Sequence, residues 1–211
     1  MKFFKVPDEA VRRLPIYLRG ALRLSLEGTK RISSAQLADY IGFNAWQIRK
    51  DFSYFGGLGT RGVGYDVETL IVRLRKILKL NKVRGAALVG AGNLGSALLR
   101  FDDFSRFGVQ IVYAFDSDPR KIGRTIGRVE VEPVAKLTDL SKRHIDLAII
   151  TVPQDVAQEI ADTLVTCGIR GILSFSPGRL VIPKKVTVKT IDIAMDLAGL
   201  PYYLPNRTKH N

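Results

Sequence analysis

The run Ala86-Ala87-Leu88-Val89-Gly90-Ala91-Gly92-Asn93-Leu94-Gly95 constrains this chain more than any other stretch. A short apolar segment, too brief for a helix of its own, ends at Gly90 and gives way to helix-forming residues. Gly90, Gly92 and Gly95 stand in G-x-G-x-x-G spacing, with Ala91, Asn93 and Leu94 between them. The first glycine permits a tight strand-to-helix turn, the second lets backbone approach a pyrophosphate, and the third lets helix and strand pack closely. The N–H groups and dipole at the start of the following helix then favour phosphate. Such glycine clusters also arise by chance, so the next segment decides. Residues 109–116, Val-Gln-Ile-Val-Tyr-Ala-Phe-Asp, read as a second buried strand ending in an acid 21 residues after Gly95. A carboxylate there accepts hydrogen bonds from an adenosine ribose and repels a 2′-phosphate, which favours NAD⁺ and NADH.

Beyond Asp116, Ser117-Asp118-Pro119 reads as a turn into a short helix, with acids that shape the ribose site and Lys121 or Ile122 near the adenine. Strands are expected at 129–134, 145–153, 171–177 and 186–191, with a helix over 154–167. Apolar runs alternating with helices give a parallel sheet covered on both faces. Ligands bind such sheets at the strand carboxyl ends, where the glycine turn, Asp116, the Thr151-Val152-Pro153 loop and residues 174–177, with Phe175 and Pro177, converge. No catalytic constellation accompanies that crevice. His144 falls at the opposite end of the sheet, and His210 lies in the tail. No Lys–His or Arg–His pair stands where a hydride-transfer enzyme would polarise a carbonyl. One cysteine, Cys167, and two distant histidines make no metal site. Cys167 sits in an apolar helical segment, where burial is the expectation.

The leading residues follow another pattern. Pro7-Asp8-Glu9 opens a helix. Val11, Leu14, Leu18, Leu22 and Leu26 give it one apolar face, Pro15 predicts a kink or break, and Gly28 ends it. Ser33-Ser34-Ala35-Gln36 is a capping box for a helix over 36–41, and Gly42 supplies a turn. Asn44 caps the next helix, whose apolar stripe is Ala45, Ile48, Phe52 and Phe55. Asn44, Gln47, Lys50 and Tyr54 occupy a different face, with Arg49 and Ser53 beside it. Helix–turn–helix with a polar, basic second helix suits a duplex major groove: amides pair with adenine, Arg or Lys with guanine, and hydroxyls, those of Ser33 and Ser34 included, with phosphate. Residues 56–65 then hold five glycines around Arg61, a tight hairpin whose tip can bring a cation to a narrow groove. A helix over 67–80, capped by Asp66, completes a winged helix.

Charge agrees with this division. The first 81 residues carry 15 Lys/Arg against 7 Asp/Glu, and the remainder 18 against 13, within a net charge of +13. A basic excess concentrated in the leading segment points to a polyanion partner. No apolar run approaches the roughly 20 residues of a membrane span, and no signal-peptide pattern opens the chain, so a cytoplasmic location without membrane attachment is expected. The closing segment, residues 190–200, is apolar on nearly every side. It suits a last core helix or one covered by a second subunit, and Pro201 should stop or bend it.

The run Ile48-Arg49-Lys50-Asp51-Phe52-Ser53-Tyr54-Phe55-Gly56, the glycine-rich wing at 59–65, the G-x-G-x-x-G turn and the closing Ile-Asp segment resemble the bacterial redox-sensing transcriptional repressors of the Rex family. The likeness runs from about residue 6 to residue 204. It implies a homodimer that sets two winged helices on a palindromic operator in double-stranded DNA and exchanges carboxyl-terminal helices. It also implies release by NADH, with NAD⁺ competing without releasing DNA. By position, Arg19 and Asp192 match the family's intersubunit switch pair. Phe101 stands where many relatives have tyrosine, so the hydroxyl that would bond the aspartate is missing here, and Pro201 also departs from the pattern.

The expected architecture is α/β: a winged-helix DNA-binding domain over 1–81, a Rossmann-type dinucleotide-binding domain over 82–189, and an interface helix and tail over 190–211. The principal alternative is an NAD-dependent dehydrogenase with an appended amino-terminal domain, to which the absence of catalytic residues is opposed. A coenzyme A-sensing repressor, to which Asp116 is opposed, and a purely architectural DNA binder complete the alternatives.

Overall fold

A computed structural model describes residues 6–60 and 62–204. The chain divides into two compact units, Met1–Val83 and Arg84–Asn211.

The first unit contains helix α1 (Asp8–Leu26), strand β1 (Arg31–Ile32), helices α2 (Ser34–Ile41) and α3 (Ala45–Ser53), strand β2 (Tyr65–Asp66) and helix α4 (Val67–Ile77). The local rules written in the sequence set most boundaries. Ser33 and Gln36 form the expected capping box, Gly42 ends α2 in the left-handed region at φ 71°, and Asn44 accepts from the Trp46 N–H to start α3. Asp66 caps α4 through the Thr69 N–H. In the wing, Thr60 bridges Gly64, and β2 returns antiparallel to β1.

Helix α1 corrects two expectations. Its buried face is Ala10, Leu14, Tyr17, Leu18, Ala21 and Leu24, whereas Val11 and Leu26 are exposed. Leu14, Leu18 and Leu22 face the core as their spacing predicts, and Tyr17, Ala21 and Leu24 widen that face. A Cβ on Gly20 would lie 2.5 Å from Ile41 Cγ2, so α2 approaches α1 at that glycine. Pro15 neither breaks nor ends the helix, which runs on to Leu26. The ring lies on the exposed face, where the carbonyl it leaves without a partner can turn to water. The core is built around Tyr17, Phe52 and Tyr65, stacked edge to face with centroids 5.3 Å apart at each step.

The second unit contains β3 (Arg84–Val89), α5 (Asn93–Leu99), β4 (Val109–Asp116), β5 (Thr125–Ile126), β6 (Val129–Pro133), β7 (Leu147–Ile150), α6 (Gln154–Thr166), β8 (Gly171–Ser174), β9 (Thr187–Thr190) and α7 (Ile193–Gly199). Seven strands form one sheet in the order β5-β6-β4-β3-β7-β8-β9, parallel throughout except for the β5–β6 ribbon. That short ribbon was not expected, and the predicted helix after Pro119 is a set of turns instead. The 3₁₀ stretches at Asp102–Phe107 and Val134–Lys142 also carry no strong periodicity in the sequence.

The strand order reverses at β3, whose neighbours are β4 and β7, and this topological switch point opens a crevice at the strand carboxyl ends. One face of the sheet buries Val89, Phe115 and Ile150 under Ala157, Ala161 and Leu164 of α6. The expectation of two covered faces is corrected on the other side. There α5 and the 102–107 turn cover Leu88 and Ala114, while Phe104, Ile111, Ile149 and Leu173 line an open apolar hollow of about 340 Å³. Cys167 is buried as expected, and burial pushes its thiol pKa up.

Candidate functional site

The glycine turn is shaped by two contacts that no side chain would survive. Gly90 has φ +100°, and a Cβ there would lie 2.8 Å from the Thr151 carbonyl oxygen. A Cβ on Gly95 would lie 2.0 Å from the Gly90 carbonyl oxygen, so α5 starts against the strand that feeds it. Gly92 has nothing within 4 Å of its Cβ position, and it lines the crevice. Thr151 clamps the turn from β7, its hydroxyl donating to the carbonyl of Gly90 at 2.7 Å.

Asp116 ends β4 buried, its carboxylate already oriented. Oδ1 accepts from the Asp118 backbone N–H at 2.8 Å, and Oδ2 from Lys121 Nζ at 3.0 Å. Asp118 pairs with Arg120. Hydrogen bonds from the Arg120 side chain, then from its backbone, hold the Asp118 carboxyl down at about 2.

The crevice measures about 890 Å³, within the range of small-molecule sites. Of the expected residues, Gly90, Gly92, Asp116, Ser117, Asp118, Lys121, Thr151, Val152 and Pro153 line it. Ala91 and Gly95 are buried behind it, and Asn93, Leu94 and Ile122 lie outside its lining. Phe175 and Pro177, expected in the apolar half of the site, lie outside this lining. Phe175 packs with the cluster of Leu88 and Ala91 on the other face of the sheet, and Pro177 is exposed. Strand alternation explains the placement. Ser174 and Ser176 are buried, with the Ser176 hydroxyl donating to the Val152 carbonyl, so Phe175 between them points the opposite way.

Sequence reasoning missed the apolar wall. Val134, Leu137 and Thr138 come from the 3₁₀ stretch, while Val156, Ile160 and Thr163 come from α6. The second set had a signal, since its 4- and 3-residue steps mark one helix face beside the buried one. His144 is exposed in a left-handed turn just before β7, at the end of the sheet away from the crevice as expected.

In the first unit, α3 exposes Arg49, Lys50 and Ser53, and leaves Gln47 half-buried. Several expected readers have partners within the chain. Ser33 and Asn44 spend side-chain oxygens on helix caps, Arg49 Nη1 donates to Ser34 Oγ at 2.8 Å, and Ser53 donates to the Lys50 carbonyl. Tyr54 is the half-buried C-cap of α3. Lys50 Nζ stands 4.7 Å above the ring of Trp46, which is 56% exposed and was overlooked as a surface group. Between α3 and the wing lies a hollow of about 460 Å³ lined by Ser33, Ser34, Arg49, Ser53 and Thr60. Arg61, the expected wing tip, lies outside the described residues.

Asp51 stands in the sequence only as a member of the run Ile48–Gly56. It is fully buried and accepts from Arg13 Nε at 2.6 Å, Arg13 Nη2 at 2.9 Å, the Tyr17 hydroxyl at 2.6 Å and Gln47 Nε2 at 2.8 Å. Burial alone would raise its pKa; the hydrogen bonds from Arg13, Tyr17 and Gln47 outweigh it and hold the carboxyl below its ordinary value.

Two family profiles match the chain: one described as a putative DNA-binding protein N-terminus over residues 5–53, and one described as a CoA binding domain over residues 81–178. The redox-sensing transcriptional repressor Rex of Leuconostoc citreum (strain KM20) is 45% identical over 203 residues, covering 96% of this chain and 94% of that protein. This chain belongs to the Rex family. The Rex of Chloroflexus aurantiacus (strain ATCC 29366 / DSM 635 / J-10-fl) is 44% identical, with 97% of each chain covered. Among solved structures, RSP in complex with β-NAD⁺ and operator DNA has a TM-score of 0.87 at 38% identity, covering 95% of this chain and 93% of RSP. RSP in complex with β-NADH has a TM-score of 0.84 at 36% identity, covering 95% and 94%. The Rex relatives carry the name of transcriptional repressors, and the likeness extends over both units of this chain. Among the described residues no helix is long and apolar enough to cross a membrane.

Proposed function

We propose that this chain is a transcriptional repressor that senses the NADH/NAD⁺ ratio: it binds operator DNA as a homodimer, and NADH releases it. One observation carries the reading. The same chain holds a helix-turn-helix with a basic outer face and a switch-point crevice whose glycine turn and buried Asp116 fit an adenine dinucleotide. The crevice residues divide the work. The turn at 90–95 brings backbone N–H groups to a pyrophosphate, Asp116 accepts from the ribose hydroxyls, and the wall from α6 and 134–138 covers the adenine. Coenzyme A bears a phosphate on that ribose, which Asp116 disfavours, and this counts against the coenzyme A reading.

NADH and NAD⁺ differ by one hydride and by the positive charge on the oxidised ring. An apolar surrounding at the nicotinamide end disfavours the cation through desolvation, and Ile193 at the start of α7 is the residue we assign to that closure from the second subunit. Helix α7 exposes Ile193, Met195 and Leu197 in the single chain, while the second face of the sheet leaves its hollow open; both fit coverage by a second copy. Asp192 caps α7, and Arg19 lies on the exposed side of α1; their meeting across the dimer is the contact we assign to the DNA-binding form. A cytoplasmic location follows from this role.

Gel-shift titration on a random operator pool, with NADH, NAD⁺ and NADPH at fixed salt, tests the reading. Release by NADH with retention under NAD⁺ is expected. Binding that is equal with and without NADH overturns it.

A further inference from the structure

The network around Asp51 does more than hold α3 on α1. A carboxylate only accepts hydrogen bonds, so the Gln47 amide must turn its nitrogen inward, and the 2.8 Å contact fixes which way the amide faces. Asp51 cannot itself swing to meet another partner. Each of its oxygens already has two donors, Arg13 Nε and Tyr17 on Oδ2, Arg13 Nη2 and Gln47 on Oδ1. Gln47 is the third residue of α3, and recognition helices meet base edges with their first turns. One amide hydrogen is committed to Asp51. The other hydrogen and Oε1 remain, one donor beside one acceptor.

Resting on the operator-binding reading above, we propose that Asp51 is a positioning residue for sequence recognition: it locks the Gln47 amide so that its remaining N–H and Oε1 read an adenine in the major groove. Adenine presents an acceptor at N7 and a donor at N6, the complement of that edge, whereas guanine presents two acceptors. The base preference at one position of each half-site is therefore set by a residue that no base touches.

Selection from a randomised operator pool, followed by titration of the recovered sites across a salt series, tests this with wild type, Gln47→Ala and Asp51→Asn. Gln47→Ala should flatten one adenine-preferring position by about five- to a hundredfold while leaving the salt slope unchanged. Asp51→Asn should do something that loss of packing does not. Arg13 Nε and the Tyr17 hydroxyl, both on the Oδ2 side, keep the one carbonyl oxygen of the asparagine, so its amide takes the place of Oδ1 beside Gln47, which turns its own oxygen inward and its NH₂ outward. Preference at that position should move from adenine to guanine. If Asp51→Asn does not fold, the charge-balanced Arg13→Gln/Asp51→Asn double variant takes its place with the same expected change. A wild-type chain that selects no sequence removes the operator reading and this inference together. Selection by wild type that persists unaltered in either Gln47→Ala or the position 51 variant overturns this inference alone.

Discussion

Lys121 Nζ lies 3.0 Å from Oδ2 of Asp116, so the carboxylate at the carboxyl end of β4 carries its own cation. The two are unequally buried, with the aspartate side chain 8% exposed and the lysine 32%. In the proposed dinucleotide site the pair would temper the repulsion that a bare Asp116 exerts on a 2′-phosphate, and removing one partner should unmask the other. Asp116→Ala leaves a cation beside the ribose, and the ratio of NADPH to NADH dissociation constants should fall at least tenfold, or about 1.4 kcal/mol. Lys121→Met leaves the anion, and the ratio should rise. Isothermal titration calorimetry with both dinucleotides checks the two signs, and a ratio that does not move in Asp116→Ala removes Asp116 from discrimination.

Arg19 and Asp192 are assigned to the switch by position, and the capping role of Asp192 dictates how they must be tested. The Asp192 carboxylate accepts from the Met195 N–H, so alanine there would damage α7 as well as remove charge. Asparagine keeps an acceptor for the cap and loses only the charge. Arg19→Ala and Asp192→Asn should each weaken operator binding more than tenfold in the absence of NADH and blunt further release by it. Gel shifts on one operator measure both, and undiminished, NADH-responsive binding in either variant would take that residue out of the switch.

Phe101 packs edge to face on Phe104 with centroids 5.0 Å apart and is 52% exposed. Adding a hydroxyl there therefore places a polar group at a half-open position, where stability should change by less than about 0.5 kcal/mol. Phe101→Tyr should lower the NADH concentration needed for half-release several-fold if the hydroxyl bonds Asp192 in the released form. An unchanged midpoint would show that this chain switches without that contact.

Acid should expose the network around Asp51. Its carboxyl is held below the ordinary value of 3.8, so the folded state binds the proton less readily than the unfolded chain. The resulting stabilisation is present above about pH 4 and is lost as pH falls through the folded-state value. Asp66, Asp118 and Glu132 are shifted the same way, so the total acid response is not diagnostic of Asp51. The difference is diagnostic. Urea midpoints of wild type and Asp51→Asn should converge as pH falls from 5 toward 2, and parallel curves would show that the carboxylate charge contributes nothing.

What was legible in the sequence follows from how local its cause is. The capping box at Ser33, the left-handed Gly42, the Asn44 cap and the strand at Val109–Asp116 are set within a few residues of chain, and all appear where expected. The full width of the buried face of α1 was not legible, because it depends on Ile41 meeting Gly20 from another helix. The side of the sheet taken by Phe175 depended on where β8 begins, which an apolar run from 171 to 177 leaves open by one residue. Asp51 was hidden for a third reason: a buried acid between a basic pair and an aromatic looks like a surface charge until Arg13 and Tyr17, more than 30 residues away, are folded onto it.

The closing helix gives the strongest test of assembly. Met195 and Leu197 are 67% and 65% exposed, and Tyr202, Tyr203 and Leu204 continue the apolar surface past Pro201. A helix apolar on several sides and bare in water is poorly soluble unless something covers it. The open hollow beside Ile149 and Leu173 is a matching uncovered surface on the same unit. Replacing Met195 and Leu197 together by Asp would set two charges in the proposed dimer interface, and the dimer dissociation constant should rise at least a hundredfold, or about 2.7 kcal/mol. The folded monomer should survive, because neither side chain belongs to a core cluster. Analytical ultracentrifugation across micromolar concentrations distinguishes the outcomes. A monomer that no longer binds operator is expected, since one winged helix meets only half of a palindrome. A variant that stays dimeric would place the interface elsewhere on the molecule.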